Sequence, residues 1–206
     1  MRRLSIARSG LLLVILAALM FGCAGTEKKP TANNFQDPVI SLAYGEVEHY
    51  WGWWYFSKNI EPTAGVPGDY GAPLDLAFTF EITNPNPFPV QLENLKFTVA
   101  FEEFDLNTVQ TIASQWIPPG KTNMIKVHAM FDGRQSLLSL LVTGGFKLEE
   151  KGMGTGAGAA LKQLAEWWTR IPEFDFTIPI KDGSAVFNAD GITRVVPFEM
   201  KYPAEQ

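Results

Sequence analysis

One cysteine and two histidines are the whole thiol and imidazole inventory of this 206-residue chain. A lone Cys23 cannot close an internal disulfide, so a disulfide-stapled scaffold is excluded. His49 and His128 are far apart in sequence, and a zinc site asks for about three protein ligands, so no metal centre is expected. The same scarcity leaves nucleophilic catalysis without a base. His128 falls between Val127 and Ala129 on the polar side of a strand pattern, which predicts a solvated side chain, while His49 beside an aromatic run is a candidate for partial burial. Positive charge is short too, with 17 Lys and Arg against 22 Asp and Glu and a formal charge of −5. Phosphate backbones are held by clustered Lys and Arg, so nucleic acid is not an expected partner. The residues present assemble no catalytic, metal or cofactor site, and the chain reads as non-enzymatic.

Long apolar runs are missing as well. The longest, residues 11–21, has 11 residues against the roughly 20 of a spanning helix, and it follows Arg2, Arg3 and Arg8. That is the make-up of a secretory signal peptide, expected over residues 1–22. Cys23 comes directly after it, among small residues, which resembles the lipobox of bacterial lipoproteins and implies acylation of the Cys23 thiol after cleavage. Met20 and Phe21 stand where a Leu and a small residue are usual, and the alternative is an ordinary signal peptide that leaves a free thiol nearby. Loss of the leader removes three arginines and no acid, taking the formal charge from −5 to −8. Ala24 after the cysteine, instead of Asp, resembles the sorting signal for the outer membrane in a Gram-negative host. The expected location is therefore the cell envelope, anchored by lipid and facing the periplasm. Residues 23–36 are polar and aperiodic, the composition of a flexible tether, with the folded domain expected over residues 37–206.

What the chain has in quantity is alternation. Leu74, Leu76, Phe78, Phe80 and Ile82 alternate with Asp75, Ala77, Thr79, Glu81 and Thr83, the period-2 pattern of a strand with one buried face. Leu95, Phe97, Val99 and Phe101 repeat it, then Ile125, Val127, Ala129 and Phe131, then Phe174, Phe176, Ile178 and Ile180. Glu102-Glu103 predicts a bulge or a strand end. Pro118-Pro119-Gly120-Lys121 and Lys181-Asp182-Gly183 predict turns, and residues 108–117 a strand between two of them. Pro38 to Phe56 predicts a first strand or strand pair ending in Tyr50, Trp51, Trp53, Trp54, Tyr55 and Phe56. Those rings are either core and loop packing or an exposed patch, with Trp51, Trp53 and Trp54 as its interaction candidates. The spacing changes only twice. Asp132 and Gln135 predict a capped helix carrying Leu137, Leu138, Leu140, Leu141 and Val142, stopped by a left-handed Gly144-Gly145. A glycine-rich insertion, about residues 147–170, predicts a second helix with Leu161, Leu164 and Trp168 on one stripe. Short strands without a strand-helix-strand rhythm indicate an all-β fold, an antiparallel β-sandwich of about seven or eight strands with one short helix and one helical insertion.

Two lesser patterns have plainer readings. Gly154-Thr155-Gly156-Ala157-Gly158 superficially fits a dinucleotide fingerprint, with Glu173 or Asp175 near the expected distance. The fingerprint works only between a buried parallel strand and a helix, and the charged run 146–151 is no such strand, so no nucleotide is expected. Acids cluster at Glu102, Glu103 and Asp105, at Glu149-Glu150, and at the Asn188 to Asp190 turn, where calcium would find only two candidate ligands. Neighbouring carboxylates on a strand point to opposite faces and make no acid/base pair.

Between the first alternating strand and the next lies Asn84-Pro85-Asn86-Pro87-Phe88-Pro89. Each proline fixes its own φ and keeps its predecessor extended, and the two short amides can bond nearby backbone. In order along the chain, Ile82-Thr83-Asn84-Pro85-Asn86-Pro87, Leu95-Lys96-Phe97-Thr98-Val99, Trp116-Ile117-Pro118-Pro119-Gly120-Lys121 and the leucine-rich helix resemble the WHy domain. That is the water-stress and hypersensitive-response module of the group 2 late embryogenesis abundant (LEA) proteins. The resemblance covers residues 74–145 and, more weakly, the chain to Tyr202. It implies an immunoglobulin-like or fibronectin-III-like sandwich in which Asn84, Pro85, Asn86, Pro87, Pro118 and Gly120 are architectural. It also implies a protective role under desiccation or osmotic stress, exerted on other proteins as clients. The Trp-rich segment and the glycine-rich insertion depart from the family pattern and leave room for another role, a structural or adaptor subunit of an envelope complex.

Overall fold

The computed structural model describes residues 28–53, 72–111 and 113–203. Two antiparallel sheets pack face to face. The first has the order β1 (Val39–Tyr50), β2 (Leu74–Thr83), β6 (Thr122–Phe131). The second has the order β4 (Phe104–Thr111), β3 (Val90–Phe101), β7 (Ile178–Ala189), β8 (Ile192–Tyr202), with the short β5 (Gln115–Ile117) paired to the start of β3. This is the expected all-β sandwich of the immunoglobulin and fibronectin-III kind. The apolar series seen in sequence is the buried one: Leu74, Leu76, Phe78, Phe80 and Ile82 are wholly buried, as are Leu95, Phe97, Val99 and Phe101 from the facing sheet, while Ala77 and Thr79 of the central strand β2 are buried on its other face as well. Phe80 meets Phe97 at 5.2 Å and Phe198 at 5.7 Å, edge to face, and these rings join the two sheets.

Several local expectations change. Glu102-Glu103 is a strand end, a tight two-residue turn with Glu102 at φ 55°, so β4 begins already at Phe104 and the anticipated strand 108–117 divides into β4 and β5. Lys181-Asp182-Gly183 does not turn the chain back. It is a bulge inside one continuous β7, where the pairing to β8 slips between Ile180 and Gly183. Glycine is required there by close approach, since a Cβ on Gly183 would lie 2.3 Å from the carbonyl oxygen of Phe198. Phe174 is not in a strand either; it adopts a left-handed φ of 47° and ends a short 3-10 turn, Ile171–Glu173.

The helical part is larger and more structural than the sequence suggested. Asp132 caps α1 (Gly133–Val142) as expected, its carboxylate accepting from the backbone N–H groups of Arg134 and Gln135. Gly144 is right-handed, at φ −96°, and heads a second helix, α2 (Gly145–Glu150), in place of the left-handed stop. The glycine-rich stretch then turns into α3 (Gly156–Arg170). A helix and not a parallel strand precedes those glycines, which removes the structural context of a dinucleotide loop. Trp167 and Trp168 of α3 are wholly buried. Trp167 packs on Phe101 at 5.8 Å and on Phe104 at 5.4 Å, and Phe101 continues to Phe131 at 5.2 Å and Phe176 at 5.4 Å. The insertion is thus the plug that closes one end of the sandwich.

Pairing registers define the two ends. Thr83 of β2 faces Val39 and Thr122, and Leu74 at its other end faces Tyr50 and Phe131. The proximal end, where the described chain begins, carries Lys28 to Phe35, the Asn-Pro stretch, the 118–121 turn and the Asp190-Gly191 hairpin turn. The distal end carries the three helices, Trp51 and Trp53.

Candidate functional site

At the proximal end the Asn-Pro stretch keeps strand-like alternation, with Pro85, Pro87 and Pro89 exposed and Asn84, Asn86 and Phe88 buried. Asn84 Nδ2 donates to the carbonyls of Phe88 at 2.8 Å, Ile117 at 3.0 Å and Pro118 at 3.3 Å. Its Oδ1 accepts from the backbone N–H of Asn86 at 2.9 Å and from Asn86 Nδ2 at 3.0 Å. Asn86 in turn clamps Gln36, its Oδ1 accepting from the Gln36 N–H at 2.7 Å and its Nδ2 donating to the Gln36 carbonyl at 2.8 Å. The 118–121 turn closes with the Lys121 N–H on the Pro118 carbonyl, Gly120 taking φ 63°, the left-handed value that a type II turn needs at its third residue. The six architectural residues therefore come together. Both asparagine side chains use their oxygen and their amide group within the protein, which suits a joint and leaves no free group for chemistry.

This joint reaches further back than expected. Residues 23–36 were anticipated as a tether, yet Thr31 and Asn34 form a hydrogen-bonded turn, Phe35 is 3% exposed, and its ring meets Phe88 edge-on at 5.8 Å. Arg194 covers the other side, its guanidinium 5.9 Å from the Phe35 ring and donating to the Ala32 carbonyl at 2.8 Å. The chain is fastened to the sandwich from Ala32 onward. Beside the joint lies a groove of about 330 Å³ bordered by Lys28, Lys29, Pro87, Trp116, Pro119 and Asp190. Trp116 is 55% exposed.

The distal end has a different surface. Tyr50 OH donates to the Trp168 carbonyl at 2.6 Å, fixing the end of β1 to the plug, and burial holds the Tyr50 hydroxyl above the usual phenol range. Trp53 is half-buried against the core, while Trp51 is partly exposed beside His49, ring centres 6.1 Å apart. The two aromatics thus divide between core packing and surface; Trp54 lies outside the described residues, as does Cys23. On α1 and α2 three apolar side chains at four-residue intervals stand in solvent: Leu138 is 58% exposed, Val142 76% and Phe146 84%. The sequence pattern names Leu138 and Val142 as part of the helix without assigning them a face, and Phe146 falls in the charged run after it. The signal was present, because a helix with apolar residues at 137, 138, 140, 141 and 142 has more of them than one face can bury.

The remaining candidates fall into ordinary ion pairs. His128 is solvated as expected, with Nδ1 2.9 Å from Asp75 Oδ2, and His49 is exposed, not partly buried. Lys126 bridges Glu46 at 2.5 Å and Glu48 at 2.7 Å across the outer face of the first sheet. Its ammonium is held above the usual amine range, first by Glu46 and then by Glu48, and the Glu48 carboxyl is held below its usual range by Lys126. Glu103 pairs with Lys151 and Asp105 with Lys181. Asn188 Oδ1 accepts from the Gly191 N–H at 3.1 Å within its hairpin turn. Among the described residues no group of three or more His, Cys, Asp or Glu is placed to hold a metal ion, and no helix is long and apolar enough to cross a membrane.

No protein-family model matches the chain, and no curated protein does. Among solved structures it is similar to a protein from Archaeoglobus fulgidus, at 10% identity and TM-score 0.40, over 78% of this chain and 94% of that one. It is also similar to a Bordetella pertussis protein provisionally described as ApaA, at 13% identity and TM-score 0.42, over 80% of this chain and 91% of that one. Likeness at this level speaks for neither a shared family nor a shared function.

Proposed function

We propose that this chain is a non-enzymatic lipoprotein of the cell envelope, anchored through Cys23 and facing the periplasm, with the outer membrane as its site in a Gram-negative host. Its sandwich holds the distal end away from the anchor and offers it to other proteins. Their protection under water or osmotic stress is the role that the resemblance to LEA type 2 (WHy) proteins implies. The observation that carries the reading is the row Leu138, Val142 and Phe146, exposed at the end opposite the anchor. Apolar side chains held in water this way favour contact with the apolar surface of another protein. The test dries or heats a sensitive enzyme with the leaderless chain from Ala24 onward and follows light scattering. Suppressed aggregation at an equimolar ratio is expected, and scattering equal to that of enzyme alone contradicts the protective role.

Trp51 supports a second reading, a fixed adaptor subunit of an envelope complex, because it is a partly exposed aromatic beside the plug. Capture of partners by the intact lipoprotein separates the two. Loss of one stoichiometric partner on changing Trp51, Trp53 and Trp54 to Ala favours the adaptor, and an unchanged set of captured proteins rejects it.

A further inference from the structure

We infer that the proximal end is a membrane-contact surface, resting on the anionic headgroups of the leaflet that holds the lipid, with Trp116 as its interfacial anchor. This rests on acylation of Cys23 and specifies how the anchored domain is oriented. Three independent features lead to it.

The first is reach. Because the chain is fastened to the sandwich at Ala32 and not after Gln36, nine residue steps separate Cys23 from the folded domain. Fully extended they span at most about 32 Å. β2 alone, at 10 residues, is about 33 Å long. The leash is therefore shorter than the body it holds, and the end where it is fastened is the end kept near the bilayer.

The second is what that end exposes. Trp116 is 55% exposed beside Pro87 and Pro119, on the rim of the groove. Tryptophan with an apolar ring and one N–H suits the boundary between headgroups and acyl chains. The third is charge. The formal charge beyond the leader is −8, which opposes an anionic surface, yet Lys28, Lys29 and Lys121 are exposed at this end. None of the three takes part in a salt bridge among the described residues. Asp190 is the acid on the groove. Basic side chains next to an anionic leaflet each add attraction within about a Debye length.

The test uses the full acylated chain in vesicles of phosphatidylcholine with about a third phosphatidylglycerol. Nitroxide labels are placed singly through Pro119→Cys, exposed on the groove rim beside Trp116, which keeps Trp116 and the three lysines, and through Phe146→Cys at the distal end; the acylated Cys23 thiol does not react. Spin relaxation by oxygen, which concentrates in lipid, is compared with relaxation by a water-soluble nickel chelate. Expected is at least a threefold higher oxygen-to-nickel ratio at 119 than at 146, and a fall at 119 when phosphatidylglycerol is omitted or Trp116 is changed to Ala. Equal ratios at 119 and 146 on a chain whose N-terminal peptide carries the acyl mass overturn the orientation and leave the lipoprotein reading standing. An N-terminal peptide without acyl mass overturns both.

Discussion

The two ends of the sandwich are closed by opposite means. At the proximal end the closure is polar: Asn84 and Asn86 stitch together the segments at 36, 88 and 117–118, and their buried amides and carbonyls have partners. At the distal end the closure is a matter of volume. Trp167 and Trp168 fill the mouth between the sheets, yet their indole nitrogens and the Gln163 amide nitrogen are buried with no hydrogen-bond partner among the described residues. Buried donors left unpaired are uncommon and unfavourable. The lesson is that the proximal joint depends on hydrogen-bond geometry and the distal plug on shape. A joint of the first kind fixes the direction in which the chain leaves; a plug of the second kind tolerates change of chemistry and frees the outer helix faces to carry exposed apolar groups.

That contrast sets the order of expected effects. Trp167→Ala removes the largest buried side chain of the plug and should lower unfolding stability by about 4 kcal/mol, read as a shift in the urea midpoint at constant slope. Asn84→Leu keeps the volume and removes the polar group. It orphans two buried carbonyls and the backbone N–H of Asn86, and should cost about 3 kcal/mol. The decisive control is Trp167→Phe. If shape alone matters there, it costs about 1.5 kcal/mol or less, whereas a loss equal to that of Trp167→Ala would mean that the indole N–H has a role and the contrast is false. Gln163→Leu sharpens the point further, because removing an unpartnered donor should leave stability within about 1 kcal/mol of the parent or raise it.

The smallest effect lies on the exposed sheet face between the ends. Glu48 is held below its usual range, so its contribution is present above the ordinary carboxylate range and lost as pH falls through the lowered value; Lys126 is held above its usual range, so its contribution is lost only as pH rises through the raised one. The parent should therefore exceed Lys126→Ala by a small margin at pH 7, and the margin should close as pH falls below the ordinary carboxylate range. A margin that grew on acidification would reverse the assignment. Exposed pairs of this kind contribute little and weaken further with salt.

Much of this architecture can be read from the chain. The period-2 runs named the strands of both sheets, and the proline and asparagine alternation located the joint, because those signals are local. Asp132 announced its helix for the same reason. What escaped was decided at a distance. Ala32 to Gln36 look like tether because the groups that fasten them, Asn86, Phe88 and Arg194, lie 50 or more residues away. Trp167 escaped because a single helical stripe admits Trp168 or its neighbour, while a helix pushed between two sheets buries both. Lys181-Asp182-Gly183 has turn composition, but Phe198 from β8 fills the space that a turn would open. The exposed row at 138, 142 and 146 required knowing which helix face the plug consumed.

The division of labour between a holding end and a presenting end is tested most directly by changing Leu138, Val142 and Phe146 together to Ser and repeating the enzyme-drying assay beside a urea titration. Expected are an unfolding free energy within about 0.5 kcal/mol of the parent and protection reduced at least fivefold. Undiminished protection by the folded triple variant would contradict it.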